Sequence, residues 1–391
     1  MARATASKIK GGKTSASPPF ERVALLLQGG GALGAYQGGV YQALAEANVL
    51  PTWIAGISIG AVNSALIAGN PPEKRVARLR EFWEAVSTSP LGAFAVPYSR
   101  SATLKDAATH RLVNQIHALG IAMLGAPSFF IPRFPPPHIW SPQDTANLSF
   151  YDVSPLNATL ERLVDFDRIN SGETRFSVGA VNVKSGDFTY FDNVTHQIEA
   201  RHIIASGSLP PGFPATEVDG EYYWDGGLVS NTPLLWVLDS QPRRDTLAFQ
   251  VDLWSSSGEP PRDLTQADVR QKEIQFASRT RFVTDHFRKQ QRLRHAFKHV
   301  FDRLPANLRG GPDMKILKEE ADESAYNIVE LIYHSKTYEG IAKDYEFSRL
   351  TMEEHWRSGH EDAARALAHP EIFRRADNLE RFQSFDFSPE T

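Results

Sequence analysis

The chain has no cysteine among its 391 residues. Disulfides, thiolate metal sites and a cysteine nucleophile are therefore excluded. Long apolar runs are missing too: none reaches about 18 residues, so we expect no membrane-spanning helix. The formal net charge of −4 lacks the basic excess of a nucleic-acid-binding protein, and we expect no nucleic-acid partner. What remains is the composition of an ordinary globular protein, with 41% hydrophobic and 23% charged residues.

A serine stands between two glycines in the stretch from Thr52 to Gly69. A short apolar run precedes Ser58 and an alanine-rich helical pattern follows it, which predicts the sharp strand-to-helix turn of a serine nucleophile. Gly56 and Gly60 would leave room for that turn. The pentapeptide alone would arise by chance in roughly one chain in ten of this length. The strand and helix patterns around it favour the nucleophile interpretation.

A glycine-rich loop comes shortly before this turn. It follows the apolar run 22–28, which is typical of a strand buried on both faces, and it leads into a helix that ends near Leu44. The order strand, loop, helix, strand, serine turn and helix predicts an α/β fold with a mostly parallel sheet. The loop glycines are Gly29, Gly30, Gly31 and Gly34.

Two functions fit this loop. Its Gly-x-Gly-x-x-Gly spacing matches the dinucleotide-binding fingerprint, which requires an acidic residue about 20 positions later. Here Gly56, Ile57 and Ser58 occupy that place, so the dinucleotide interpretation loses its main support. A loop with many backbone N–H groups serves equally well as an oxyanion hole.

A nucleophilic serine needs a base to accept its proton. Asp225 is a candidate because it stands between a Tyr-Tyr-Trp run and two glycines, Gly226 and Gly227, where another group can approach closely. An ordinary turn aspartate is the alternative interpretation. The sequence also allows a Ser–Asp–His triad, in which Asp225 or Asp252 would act with His286.

Three stretches together resemble the patatin-like phospholipases. They are residues 29–34, residues 56–60, and Asp225-Gly226-Gly227 followed by Asn231-Thr232-Pro233. The segment 205–214, ahead of the aspartate, is also similar to the family. The resemblance covers about residues 22–255, and it implies a three-layer α/β/α patatin-like fold with a central, mostly parallel sheet.

The resemblance implies a lipid acyl hydrolase that cleaves phospholipids or other acyl esters through an acyl-enzyme, with no cofactor and no metal. Ser58 would be the nucleophile and Asp225 the base of a Ser–Asp dyad, and the four loop glycines would form the oxyanion hole. The family often has lysine or arginine before the last loop glycine, but this chain has Leu33. The backbone donors survive that change, whereas the positive charge does not. The alternative from another class is a lipid- or acyl-binding module without useful turnover.

The expected organisation has three parts. Residues 1–19 form a disordered tail, residues 20–255 the patatin-like catalytic domain, and residues 256–391 a mainly helical C-terminal extension. An irregular insertion over about 90–150, rich in proline and aromatic residues, fits either a cap over an acyl-binding groove or a segment packed on the core. A strand at 246–253 is expected to complete the sheet, with a further strand at 327–334.

The extension begins with a basic helical pattern. Residues 268–304 contain ten basic and four acidic residues, a net charge of +6, with phenylalanines at roughly helical spacing. Such a helix can lie on an anionic membrane surface. The commoner alternative is a helix packed on the core with a solvated basic face. The expected location is cytoplasmic, with peripheral contact at the membrane.

Overall fold

The computed structural model describes residues 18–87, 107–135, 137, 145–336, 339–340 and 342–388. The strands are β1 (Arg22–Leu27), β2 (Trp53–Ile57), β3 (Ile131–Pro132), β4 (Tyr151–Asp152), β5 (Arg175–Asn182), β6 (Phe188–Asp192), β7 (Thr216–Val218), β8 (Glu221–Asp225), β9 (Thr246–Asp252), β10 (Tyr326–Ile332) and β11 (Phe382–Asp386). The expected tail, apart from residues 18 and 19, lies outside the described residues, as do residues 88–106, 136 and 138–144 of the expected insertion.

The helices lie between these strands in the sequence. They are α1 (Ala35–Glu46), α2 (Ile59–Ala68), α3 (Pro72–Val86), α4 (Ala107–Leu124), α5 (Ser154–Leu163), α6 (Phe166–Asn170), α7 (Ala200–Ser206), α8 (Leu234–Leu238), α9 (Leu264–Arg303), α10 (Pro312–Glu320) and α11 (Arg349–Leu367). Across the described ranges, no helix is both long enough and apolar enough to cross a membrane.

Nine of the described strands form one mixed sheet in the order β11-β10-β9-β1-β2-β5-β8-β7, with β6 also pairing with β5. Neighbours from β11 to β5 are parallel, whereas the pairs that involve β6, β7 and β8 are antiparallel. Parallel strands place their carboxyl ends at one edge of the sheet, where ligands bind in open α/β folds. The register pairs Leu27 with Gly56, so the glycine loop and the serine turn leave the sheet side by side.

The sheet has a hydrophobic core on each face. Side chains of β1 alternate between them: Leu25 and Leu27 join the larger core beneath α1, α2, α3 and α11, whereas Ala24 and Leu26 join the smaller core with Phe287 of α9. This alternation is the period of two that a strand imposes on its side chains. The two helical layers and the sheet confirm the expected three-layer α/β/α fold.

The C-terminal segment is built into this core. The expectation that residues 246–253 complete the sheet is wrong, because β10 pairs with β9 and β11 pairs with β10. On the larger core, α11 packs directly on α1: a Cβ on Gly39 would lie 1.8 Å from Trp356 O, and one on Gly359 would lie 2.0 Å from Tyr36 O. Small residues let the two helix backbones touch.

The described part of the insertion contains a helix, α4, which the irregular pattern of residues 90–150 did not predict. Downstream of it, Phe129 and Phe130 are buried and contact Phe213 and Phe347. This described part of the insertion is therefore packed on the core, and the same aromatic rings line the cavity described below.

Candidate active site

Ser58 stands between β2 and α2, so the expected strand-to-helix turn is present. Its φ of 56° and ψ of −124° are strained for a residue with a side chain. Its N–H donates a hydrogen bond to Ser206 Oγ at 3.0 Å, which helps to hold this conformation. A Cβ on Gly56 or Gly60 would lie 2.2 Å from a backbone oxygen, so only glycine fits at either position.

Asp225 ends β8, which pairs with β5, the neighbour of β2. The residue is 3% exposed. Its carboxylate interacts with the Ser58 side chain and accepts a hydrogen bond, at 2.7 Å, from the Gly227 N–H. A Cβ on Gly226 would lie 2.5 Å from Gly179 O of β5, so glycine allows this close approach. Adjacent strand ends thus bring together two residues that are far apart in the sequence.

Burial controls the basicity of this carboxylate. It raises the pKa of Asp225 to about 6, and the interactions with the Ser58 side chain and the Gly227 N–H act in the opposite direction because they favour the charged form. At neutral pH the group is therefore ionised, and it is a stronger base than an exposed aspartate.

Groups from distant parts of the chain hold the glycine loop. Asn231 Nδ2 and Trp254 Nε1 donate to Gly29 O at 3.0 and 2.9 Å. Asp344 O accepts the Ala32 N–H at 2.8 Å. The loop is thus fixed by the segment after Asp225, by the end of β9 and by the C-terminal segment.

The loop glycines occupy two kinds of position. Gly29, Gly30 and Gly31 line the same cavity as Ser58, whereas Gly34 lies outside that lining at the start of α1. A Cβ on Gly29 would lie 3.0 Å from Ser58 Cβ, so the loop contacts the serine. In the described part of the chain, the Gly30 and Gly31 N–H groups donate to no other backbone group. They are available to an oxygen that binds beside the serine.

A cavity of about 450 Å³ adjoins Ser58 and Asp225. Its walls are mostly apolar and come from the insertion, from α7 and the loop after it, and from the C-terminal segment. Lining residues include Ile121, Phe129, Phe130, Tyr151, Ile203, Leu209, Phe213, Phe276, Tyr345 and Phe347. An apolar cavity with a few polar groups at one end suits an acyl chain that ends in an ester.

The residues of the alternative triad lie elsewhere. His286 is exposed on α9, and no histidine is among the described residues that line the cavity. Asp252 accepts a hydrogen bond from Gln250 at 2.7 Å and also contacts Thr232. Within the described residues, no group of three acidic or histidine side chains is placed to bind a metal ion.

Two contributors to the site were not identified from the sequence. Asp344 acts through its backbone carbonyl, so no side-chain pattern could reveal it. Trp254 follows a buried strand at the same sheet edge as the glycine loop, and that position was a usable signal. Asn231, by contrast, belongs to one of the stretches that carry the family resemblance.

Comparisons with known proteins agree with this fold. A family model described as patatin-like phospholipase matches residues 25–238, and one described as patatin phospholipase matches residues 274–379. A search of curated proteins found no match.

The similarity to solved structures is distant. VipD from Legionella pneumophila is 14% identical with a TM-score of 0.40, and the alignment covers 94% of this chain and 72% of VipD. The type III effector ExoU of Pseudomonas aeruginosa is 15% identical with a TM-score of 0.31. Here the alignment covers 91% of this chain and 54% of ExoU, so the chain spans about half the length of that relative.

The patatin-like model alone covers more than half of the chain, and it contains the serine turn, the glycine loop and Asp225. The chain therefore belongs to the patatin-like phospholipase family of lipid hydrolases.

Proposed function

We propose that the protein is a serine acyl-ester hydrolase that cleaves phospholipids or other lipid esters through an acyl-enzyme on Ser58. The observation that carries the proposal is that the Ser58 side chain interacts with the buried carboxylate of Asp225 at the polar end of an apolar cavity. A nucleophile that contacts a base is the arrangement that covalent catalysis requires.

The steps follow from this geometry. Ser58 Oγ attacks the ester carbonyl carbon while Asp225 accepts the hydroxyl proton. The carbonyl oxygen becomes an oxyanion, to which the Gly30 and Gly31 N–H groups donate. The intermediate collapses, the leaving alcohol takes the proton from Asp225, and the acyl group remains on Ser58. Water then attacks the acyl-enzyme while Asp225 accepts a proton from it. The bond to Ser58 Oγ breaks, Asp225 returns the proton to that oxygen, and the fatty acid leaves.

Leu33 bears on substrate choice. Leucine carries no charge, and the buried Leu33 is not among the described residues that line the cavity. The lining residues beyond the catalytic end are mainly aromatic and aliphatic. We therefore expect the acyl chain, rather than an anionic head group, to supply most of the binding free energy, since burial of apolar surface is the dominant favourable interaction available.

A fluorophosphonate probe tests the proposal directly, because it traps an activated serine. The full chain is labelled, digested and mapped by mass spectrometry, and we expect the adduct on Ser58. Long-chain lipid esters should compete with the probe. A folded protein that takes up no probe would instead be the lipid- or acyl-binding module without turnover.

Activity should depend on pH through Asp225. The base must be ionised to accept a proton, and its pKa is raised to about 6. We therefore expect kcat/KM for a neutral ester to be constant above this pH and to fall about tenfold per pH unit below it. Asp252 provides a matched control, because it is also buried and its pKa is raised to about 7, yet it lies outside the cavity lining. Asp252→Asn should show the same fall in kcat/KM at low pH, which we call the acid limb.

Gly30→Ala tests the oxyanion loop. A Cβ at this position would lie 2.8 Å from Leu253 Cδ1 and 3.2 Å from Trp254 Nε1, so the loop must shift. Displacement of one oxyanion donor should lower kcat by about 10²–10³-fold with little change in KM. Gly340→Ala is the control, because a Cβ there meets nothing within 4 Å. Equal kcat values for the wild type and a folded Gly30→Ala protein would remove the loop from the mechanism.

A further inference from the structure

Helix α4 has two different apolar faces. One face is turned to the interior: Ala118 and Ile121 are buried, and Ile121 lines the cavity. The other face is exposed to solvent and carries Ile116, Leu119 and Met123, spaced by three and four residues. A core helix normally has polar residues on its solvent side. Packing against the described residues therefore does not explain the exposed apolar stripe.

The exposed apolar surface continues in the hairpin next to α4. Helix α4 contacts β3, which pairs with β4, and Tyr151 of β4 donates a hydrogen bond to Ala122 O at 2.9 Å. In this hairpin Ile131 and Phe134 are exposed, the latter almost fully. We call these five side chains the α4 surface: Ile116, Leu119, Met123, Ile131 and Phe134. Large exposed apolar groups at one place on a protein mark an interaction site.

The charge of this region restricts the partner. Residues 107–143 contain no aspartate or glutamate, although the whole chain has 46 acidic residues among 391. The charged residues in that stretch are arginines, Arg111 and Arg133. Of the charged groups described near the surface, Arg133 follows β3, and Asp152 of β4 is paired with Ile131. An apolar surface whose own helix and strand carry no carboxylate matches an anionic lipid bilayer, where apolar side chains enter the acyl region.

We propose that the α4 surface docks on an anionic lipid bilayer and that α4 thereby brings the cavity to its substrate. The same helix contributes Ile121 and Ala122 to the cavity wall, so the docked surface and the cavity are separated by one helix. A lipid that leaves the bilayer at this point would reach Ser58 without crossing bulk water. The inference rests on the proposed lipid-ester hydrolysis, but docking itself requires no turnover.

Helix α9 was the other candidate for membrane contact. Several of its basic residues are neutralised by ion pairs: Arg288 with Glu380, Lys298 with Asp302, and the buried Arg294 with Asp239 and Glu320. Part of the net charge of +6 counted along residues 268–304 is therefore balanced by acidic residues from outside that stretch.

The second half of α9, which contains Arg288, Arg294 and Lys298, is also poorly placed for membrane contact. We call it the basic half of α9. Gln291 donates to Ser324 O just before β10, and His295 contacts Leu379 O just before β11. These are the amino ends of parallel strands, whereas Ser58 stands at the carboxyl end of β2. A seven-residue strand such as β10 spans roughly 20 Å. Docking through the basic half of α9 would hold the cavity away from the lipid.

Vesicle binding by the Ser58→Ala protein tests this proposal separately from hydrolysis. The full chain is floated with vesicles of phosphatidylcholine and phosphatidylglycerol, and the bound fraction is measured. In this protein, Leu119→Asp and Met123→Asp replace two apolar side chains, 61% and 66% exposed, with carboxylates. We expect the apparent affinity to fall by about tenfold or more, since apolar insertion is lost and like charges are brought together.

Matched variants on α9 provide the control. Phe282→Asp with Leu293→Asp changes side chains that are 72% and 56% exposed, and Lys289→Glu with Arg292→Glu reverses charge. Both pairs should leave vesicle binding within about twofold of the Ser58→Ala protein. With Ser58 restored, the Leu119 and Met123 variant should hydrolyse a small soluble ester at the wild-type rate and melt at the same temperature.

The possible results separate clearly. Loss of binding in the α4 variant alone supports the proposal. Loss of binding in the α9 variants alone would assign docking to α9 and overturn the proposal. The proposal would also be overturned if the Ser58→Ala protein did not bind anionic vesicles. If Ser58 proved inactive towards every ester, the proposed function would fail while the binding result would stand unaffected.

Discussion

Ser58→Ala should abolish ester hydrolysis, with kcat reduced by about 10⁴-fold or more, because removal of a nucleophile leaves only the contribution of binding and the oxyanion hole. The turn should survive the change. Alanine keeps the Cβ, and the Ser58 N–H that donates to Ser206 Oγ belongs to the backbone. The measurement is kcat for a soluble ester and for a phospholipid, together with the midpoint of thermal unfolding.

A second serine in the same region serves as the control. Ser64 lies in α2, and its Oγ donates to Gly60 O at 2.6 Å rather than to Asp225. Ser64→Ala should therefore retain most of the activity. If a folded Ser58→Ala protein turned over substrate at a rate close to that of the wild type, another nucleophile would have to be sought.

The serine turn could be predicted because every requirement for it is local. A strand, two glycines and a helix within residues 52–69 determine the backbone, and Ser58 indeed stands at that turn. Asp225 could be proposed for a similar reason, since the adjacent glycines indicate close approach. The contact between Ser58 and Asp225 was harder to predict from the sequence, because it depends on how β8, β5 and β2 pair across the sheet.

The C-terminal segment shows where sequence patterns stop being sufficient. An apolar run near residue 330 predicts a strand, but it cannot reveal that this strand extends the sheet beside β9. Likewise the charge count of α9 gave +6, whereas partners such as Glu380 and Asp344 come from distant parts of the chain. Register and ion pairing are properties of the assembled fold, so they appear only with the tertiary contacts.

The loop around Asp344 links the glycine loop of the site to helix α9. Its carbonyl accepts the Ala32 N–H, and its carboxylate forms an ion pair with Lys272 of α9 at 2.7 Å. Lys343 in turn pairs with Glu273 of α9 at 2.7 Å. The C-terminal segment therefore holds the glycine loop at Ala32, whereas Asn231 holds it at Gly29. We infer that the segment matched by the second family model is part of the site rather than an appendage.

Asp225→Asn should be nearly as damaging as the loss of the serine. The amide has almost the same shape, and its oxygen can still accept the Gly227 N–H, so the turn should be retained. It cannot accept the Ser58 proton at any pH used for assay. By comparison with other nucleophile–base pairs we expect kcat to fall by about 10³–10⁴-fold. Labelling by the fluorophosphonate should slow in parallel, because the serine is no longer activated.

The histidine variant decides between the dyad and the triad. His286 is exposed on α9 and lies outside the cavity lining, so His286→Ala should leave kcat within about twofold of the wild type. A larger loss for His286→Ala than for Asp225→Asn would restore the triad. The acid limb provides the independent check: the raised pKa of about 6 belongs to the carboxylate that contacts Ser58. His286→Ala should therefore leave that limb in place, since the base that titrates there is still Asp225.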